Sequence, residues 1–383
     1  MHRFDSYLSE AISLIEAYKV KLPFSIYIKG YFSKNKKFGS TDRKTIIKFC
    51  YYFFRVGLAV SSSKGEAIIS GLFLCEEKES EILEYLNPFL NQNITRNLND
   101  KLELLKITPE SIFPLLANVS DEVDKDKFAV SFLKQPDLFL RVRPGRKQYV
   151  IEKLKDADVK FNAEEDWIRL ENSEKIDKII SLDVDAVVQD INSQKVFNFF
   201  KKLDLKREYN VWDCCAASGG KSILLFDRLK GRVKITASDV RLSILENYKS
   251  RLQKAKINFK NIIVADLTKP LLFNEKFDII ICDAPCTGSG TWSRTPEQLF
   301  LSNKESITQY SVLQKQIIDN SITALKPGGY YCYITCSVFF EENEANSKYI
   351  SEKFKVEKLF SEYLKGYENK ADTLFVSIFK LVS

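Results

Sequence analysis

From about residue 206 onward the chain alternates short, strongly apolar runs with longer helical stretches, and this alternation constrains the fold more than any other feature. The runs are "NVWDCCA", "VKITASD", "NIIVAD", "FDIIICDA" and "GYYCYITCS". Each reads as a strand buried on both faces of a parallel sheet. Between them, "SILENYKSRLQKA" and "ESITQYSVLQKQIIDNSITAL" carry helical periodicity. Such repetition predicts a doubly wound α/β fold, whose ligands bind where strand C-termini meet the loops that follow. The cysteines and aspartates of interest lie at those ends.

A chain of 383 residues holds two or three domains. Residues 1–125 read as an all-α domain, because "YLSEAISLIEAY", "STDRKTIIKFCYYFFRVGLAV", "KGEAIISGLFL" and "SEILEYLNPFL" repeat apolar residues every three or four positions. After the charged "SDEVDKDK", residues 126–205 read as a small α/β domain, with "DLFLRVR" and "WIRLE" as strands and "KQYVIEKLKDA" as a helix. Residues 206–383 form the sheet domain. Apolar content of 45% and charge of 28% are globular values. No apolar run reaches the length of a membrane span, and "MHRFDSYLSE" lacks the apolar segment of a signal peptide. A cytoplasmic protein with no membrane contact, acting as a monomer, is expected.

Eight cysteines, mostly inside strand-like runs and with Cys214 and Cys215 adjacent, do not form a secreted disulfide framework. There is no C-x-x-C, and His2 is the one histidine, so no metal site of ordinary spacing is expected. The lone histidine also argues against Ser-His or Cys-His nucleophile pairs. The net charge of +7 lies in residues 1–60, which hold 11 Lys/Arg against 4 Asp/Glu. A second basic cluster comprises Arg141, Arg143, Arg146 and Lys147. With aromatics such as Tyr27, Tyr31, Tyr51 and Phe54 nearby, the N-terminal segment is either a solvated helical face or an RNA-contacting one.

"DCCAASGGKS" (213–222) delivers a strand into a glycine turn. Gly219 and Gly220 are expected to let backbone approach a ligand, and the following helix offers free N–H groups. The spacing is neither that of a dinucleotide fingerprint nor that of a phosphate-binding loop. Asp239 and Asp266 end the next two strands, where one can bind ribose hydroxyls and the other can sit beside an adenine. Together they describe S-adenosylmethionine, with its methionyl end near Cys215, Ala216, Ala217, Ser218, Gly219, Gly220 and Lys221. Downstream, Cys286 and Cys336 each follow an apolar run. Two thiols beside such a cofactor fit methylation of carbon 5 of a pyrimidine, in which sulfur adds to carbon 6 and activates its neighbour.

These motifs resemble the Sun/RsmB type of RNA cytosine-5 methyltransferase, marked by D-x-C-A-A-P-G-G-K-T, D-A-P-C-S-G-x-G and T-C-S followed by E-E-N-E. Here they stand as "DCCAASGGKS", "DAPCTGSG" (283–290), "TCS" (335–337) and "EENE" (341–344). "VVQDINSQK" (187–195) is similar to the family's lead-in, and "GSTDRKTIIKFCYYFFR" to the NusB-like RNA-binding domain of bacterial members. The resemblance implies a Rossmann-like class I methyltransferase domain preceded by an RRM-like segment and a NusB-like domain, with ribosomal RNA as substrate. It further implies Cys336 as nucleophile and Cys286 as the thiol that assists release. From the residues alone those roles stay open, because DNA cytosine methyltransferases use a Pro-Cys nucleophile that "APC" also matches. Asp283, at the fourth strand end, is expected to hold the cytosine's amino edge and handle protons, with Lys221 orienting it. Trp292, Arg294 and Pro296 are candidates to guide the RNA strand.

Ser218 stands where the family has proline, a change expected to loosen the cofactor turn, and "SVFFEENE" lacks the proline before the acidic run. Methylation of an exocyclic or protein amide nitrogen would instead call for an N/D-P-P-Y/F strand end. A catalytically silent RNA-binding assembly factor is the alternative of a different class.

Overall fold

Helical periodicity in the first third of the chain is realised as nine α-helices in a computed structural model that describes residues 2–19, 22–164, 166–202, 207–273 and 275–382. Contacts divide the chain into two units. The first contains the residues up to Gln135 together with Thr291–Asn303.

In this unit α1 (Arg3–Ala17), α2 (Phe24–Lys34), α3 (Ser40–Val56) and α4 (Lys64–Cys75) precede the shorter α5 (Glu81–Leu86), α6 (Pro88–Gln92), α7 (Leu98–Leu105), α8 (Pro109–Ile112) and α9 (Lys125–Ser131). Helix α3 buries Ile46, Phe49, Cys50 and Phe54, a stripe at intervals of three and four, and packs against α1 and α4. A Cβ on Gly71 of α4 would stand 2.5 Å from the Tyr52 carbonyl oxygen, so glycine is what lets the two backbones meet. "SEILEYLNPFL" is two helices rather than one, because Pro88 cannot continue the first and Asn87 caps the second. The aromatics Phe24, Tyr27 and Phe54 pack with Tyr18, which makes them core rather than an RNA-stacking face.

Thr291–Asn303 completes this core. Trp292 is 1% exposed and lies against Phe113, Phe300 stacks on Phe53, and the buried Glu297 carboxylate accepts the Phe24 N–H at 3.2 Å. That bond caps α2, whose N-cap residue, Pro23, offers no side-chain acceptor. Trp292 and Pro296 are both buried, so they do not form a surface for guiding RNA.

The second unit holds two sheets. In the smaller, β1 (Leu138–Val142), β2 (Phe161–Ala163), β3 (Trp167–Leu170) and β4 (Ala186–Val188) run antiparallel in the order β2-β3-β1-β4. Helix α10 (Lys147–Asp156) buries Val150 and Leu154 against Leu140 and Ile168. The arginines of the basic cluster are paired internally. Arg141 and Arg143 both pair with Asp227, and Arg146 pairs with Asp185, leaving Lys147 exposed. In the lead-in motif, α11 (Ile191–Lys195) carries Asn192, whose amide donates to the Leu364 and Asp372 carbonyls.

The larger sheet has the order β10-β11-β9-β8-β5-β6-β7. Its strands are β5 (Tyr209–Asp213), β6 (Val233–Asp239), β7 (Phe259–Val264), β8 (Phe277–Asp283), β9 (Leu325–Thr335), β10 (Val356–Leu364) and β11 (Leu374–Leu381). The five expected strands, β5 to β9, pair in parallel. β11 and β10 are further strands that close the sheet in antiparallel register. One expected strand differs in burial: β7 is the edge strand, with Val264 55% exposed, because no neighbour covers its outer side. Helices α12 (Gly220–Arg228), α13 (Leu242–Lys254), α14 (Lys304–Ile322) and α15 (Glu344–Lys353) connect the strands. The order reverses beside β5, so the ends of β5, β6, β8 and β9 open onto one crevice. Among the described residues, no helix is long and apolar enough to cross a membrane.

Candidate active site

The turn after β5 is fixed by its neighbours. The Cys214 N–H donates to the Ile281 carbonyl of β8, and the Ala216 N–H to the Ser238 carbonyl of β6, each at 2.9 Å. Ala217 and Gly219 then take left-handed φ values of 44° and 86°. A Cβ on Gly219 would lie 2.8 Å from the Tyr248 ring and 2.9 Å from Leu252. This glycine therefore serves the packing of the turn on α13 rather than the approach of a ligand, as expected from sequence. Gly220 differs, since a Cβ there would meet nothing within 4 Å. Ser218 does not leave the turn loose: its carbonyl and hydroxyl oxygens accept from Arg251 at 2.9 and 2.8 Å, while Arg251 also grips Asp183.

Asp239, ending β6, accepts the Ala217 N–H at 3.1 Å and three N–H groups of Arg241. Burial opposes its ionisation, but these bonds outweigh it and hold the carboxyl below its ordinary value. Asp266 accepts from the Thr268 hydroxyl and N–H, bonds that lower its pKa as well.

Asp283 ends β8 and receives Lys221 Nζ at 3.0 Å. The Lys221 side chain is only 11% exposed. Burial would favour the neutral amine, but Asp283, with Cys336 and Asp213 behind it, raises the pKa, so the ammonium persists. Cys286 and Cys336 bring their Sγ atoms to 3.4 Å. The hydrogen bond to Cys336, burial and the negative field of Glu342 push the Cys286 thiol up.

Both thiol loops are fastened from below. Glu342, from the acidic run, is fully buried and accepts from the Thr287 N–H at 2.9 Å, the Thr287 hydroxyl at 2.6 Å, the Gln314 amide at 3.0 Å and the Ser337 hydroxyl. Burial nevertheless raises its pKa. Gly290 donates to the Cys336 carbonyl and accepts from the Thr373 N–H, both at 2.9 Å. A Cβ on Gly290 would sit 2.0 Å from the Thr373 oxygen, so no other residue fits.

A cavity of about 420 Å³ gathers Cys214, Cys215, Ala217, Asp239, Asp266, Asp283, Cys286 and Cys336 into one wall, a size suited to a small-molecule site. Larger cavities of about 630 and 510 Å³ lie elsewhere, and neither collects these acids and thiols. The family model described as 16S rRNA methyltransferase RsmB/F matches residues 200–374. Over this span the chain is similar to the Sun/RsmB methyltransferase family. Ribosomal RNA small subunit methyltransferase B of Vibrio vulnificus is 35% identical over 158 residues, covering 41% of this chain and 36% of the relative. The chain thus spans about a third of that relative's length. Among solved structures, PH0851 has a TM-score of 0.71 at 20% identity, covering 98% of both chains. NSun6 from Pyrococcus horikoshii, solved with SFG, has a TM-score of 0.60 at 15% identity over 70% of this chain and 97% of its own. At these identities the likeness is one of fold.

Within the Sun/RsmB span, the expected site residues divide by position. Cys215, Ala217, Asp239, Asp266, Asp283, Cys286 and Cys336 line the cavity. Lys221 stands behind Asp283, Ser218 turns toward Arg251, and Ala216 and Gly219 serve the turn itself. Sequence reasoning passed over Arg251, Gln314 and Glu342. Of these only Glu342 carried a signal, as a member of the "EENE" motif. It also passed over Cys282, which the register of β8 on β5 sets beside Cys214.

Proposed function

We propose that the chain transfers a methyl group from S-adenosylmethionine to carbon 5 of a cytosine in RNA, with ribosomal RNA as the substrate. The observation that carries this reading is the pair of thiols 3.4 Å apart in the wall of a cavity that also presents Asp239, Asp266 and Asp283. The residues fit the cofactor. Asp239 offers a carboxylate at the strand end for a ribose, Asp266 stands where an adenine edge can reach it, and the open space over Gly220 leaves the turn free for the methionyl end. SFG in the archaeal NSun6 structure is an analogue of that cofactor. When bound, the cofactor supplies an electrophilic methyl group.

The remaining chemistry belongs to the chain. Cys336, as thiolate, adds to carbon 6 and leaves carbon 5 electron-rich enough to be alkylated. Asp283 accepts from the cytosine's amino edge, and the Lys221 ammonium, next to it, favours negative charge on the neighbouring sulfur. After methylation a base removes the carbon-5 proton. The C–H electron pair restores the ring double bond, and the sulfur leaves with the electrons of its bond to carbon 6. Cys286, whose Sγ lies 3.4 Å from that of Cys336, assists this release.

Residues 1–125 are assigned to RNA contact as a NusB-like domain, residues 126–205 to an RRM-like connection, and residues 206–383 to catalysis, in a cytoplasmic monomer. The test uses Cys336→Ala and Cys286→Ala with substrate RNA and labelled cofactor. Cys336→Ala is expected to abolish methylation and form no adduct. Cys286→Ala is expected to accumulate a protein–RNA complex that survives denaturing electrophoresis. Trapping by Cys336→Ala instead would invert the two roles, and full activity in both variants would remove the thiol mechanism.

A further inference from the structure

The strand register assembles a second sulfur cluster that takes no part in the chemistry above. β5 and β8 pair in parallel, with Asp213 opposite Ile281, so the next residues, Cys214 and Cys282, leave adjacent strands side by side. Strand alternation puts them on one face, and Cys215 follows in the turn. The three Sγ atoms lie within 4.8 Å of one another. Cys282 and Cys214 are 0% and 1% exposed. Cys214 and Cys215 also border the cofactor cavity. The Sun/RsmB pattern asks only for Cys215; Cys214 fills its unspecified position, and Cys282 precedes the D-A-P-C motif.

We propose that Cys214, Cys215 and Cys282 form a binding site for a thiophilic d¹⁰ cation, of the class of Cu(I), Zn(II) or Cd(II), in the wall of the cofactor cavity. Metal–sulfur bonds of about 2.3 Å place sulfurs roughly 3.8–4.0 Å apart, so closing on a cation asks less than about 1 Å of movement. Three sulfur donors with no oxygen or imidazole select soft cations over magnesium or calcium. Each thiol gives its proton to solvent as it coordinates. The side facing the cavity leaves a coordination position open. Cys215 belongs to the turn that takes the methionyl end of the cofactor, so cation and cofactor weaken each other's binding equally. This last step rests on the cofactor reading, while the site itself does not.

The test is a cadmium titration of the full chain, reduced with a phosphine and free of cofactor, read by the thiolate-to-cadmium charge-transfer band in the ultraviolet. One cadmium per chain with a three-thiolate band is expected. Cys282→Ala is expected to weaken binding about 100-fold and remove about a third of the band, and the Cys286→Ala/Cys336→Ala double variant to leave both unchanged. Cys214→Ala provides the same reading if Cys282→Ala does not fold. Cadmium binding that ignores Cys282 and Cys214, or that is lost in the double variant, overturns the site. In a second arm, cadmium is expected to lower S-adenosylmethionine affinity about tenfold or more in the native chain and not in Cys282→Ala. Unchanged affinity overturns the coupling alone. Metal-free protein that does not bind S-adenosylmethionine overturns the cofactor reading while the first arm still decides the site.

Discussion

Glu342 gives the sharpest test of how the two thiols are held at reacting distance. Its two oxygens take four hydrogen bonds, from Thr287 on the Cys286 loop, Ser337 beside Cys336, and Gln314 of α14. Glu342→Leu fills similar space but removes every acceptor. The Thr287 and Ser337 hydroxyls can turn toward each other or toward Ser289, which is already near both. The Thr287 N–H and one Gln314 N–H lose the Glu342 oxygen that accepts them. At about 1–3 kcal/mol for each buried orphan, the loss is about 2–6 kcal/mol, a large part of the roughly 5–15 kcal/mol that keeps a domain folded. Glu342→Gln keeps one oxygen for both N–H donors and offers its amide to the hydroxyls, so it costs about 1 kcal/mol. Burial has raised the Glu342 pKa, so its ionisation as pH rises is a cost to the fold that Glu342→Gln removes. Denaturant unfolding of the three proteins measures the costs. Methyl transfer at a temperature where all are folded measures the geometry, with Glu342→Leu expected to be slower by about 100-fold, the rate loss reported for misplacements near 1 Å. Glu342→Leu within about 0.5 kcal/mol of the native chain and fully active would refute the tether.

Asp239→Ala is expected to weaken S-adenosylmethionine binding strongly in calorimetry, and Arg251→Ala more modestly, because Arg251 acts through Ser218 and Asp183. Equal losses would deny that hierarchy. Lys29, Lys34, Lys36 and Lys44 are exposed on the basic N-terminal unit. Changing all four to glutamine is expected to lower RNA affinity and to flatten its salt dependence by about 0.7–0.9 per lost phosphate contact, whereas an unchanged slope makes that face a solvated one. Asp213 is buried, with Oδ2 on the Ser222 hydroxyl, and burial pushes its pKa up to about 7. Because the folded state holds this proton longer than the unfolded chain, its contribution to stability is full below about pH 4 and lost as pH rises through about 7. Thermal melts of Asp213→Asn should lack that fall.

The five parallel strands were legible because each is a short apolar run closed by a polar or sulfur-bearing residue, and their order along the chain placed Asp239, Asp266, Asp283, Cys286 and Cys336 at one edge. What distinguishes those residues by role was not legible. Gly219 and Gly220 are identical in sequence, yet one faces Tyr248 and the other open space. Arg141, Arg143 and Arg146 read as a positive surface because their partners Asp185 and Asp227 are 39 to 86 residues away in the hydrogen-bonded pairs. Trp292 followed a glycine motif in the manner of a loop residue, but its partner, Phe113, lies in another part of the sequence. The thiol cluster escaped for a related reason. Cys214 and Cys282 become neighbours only through a strand register that no spacing rule encodes.

The core of the helical unit takes in Thr291–Asn303, and this sets an order on the birth of the protein. A chain leaving the ribosome exposes α1 to α9 before Thr291–Asn303, so Phe53 waits for Phe300, Phe113 for Trp292 and α2 for its cap until residue 303 has been made. At about 5–20 residues per second, the 168 residues between Gln135 and Asn303 take roughly 8–34 s to synthesise. For that interval the unit is incomplete and its aromatic face is open to chaperones. A fragment ended after α9 would stay in that unfinished state permanently.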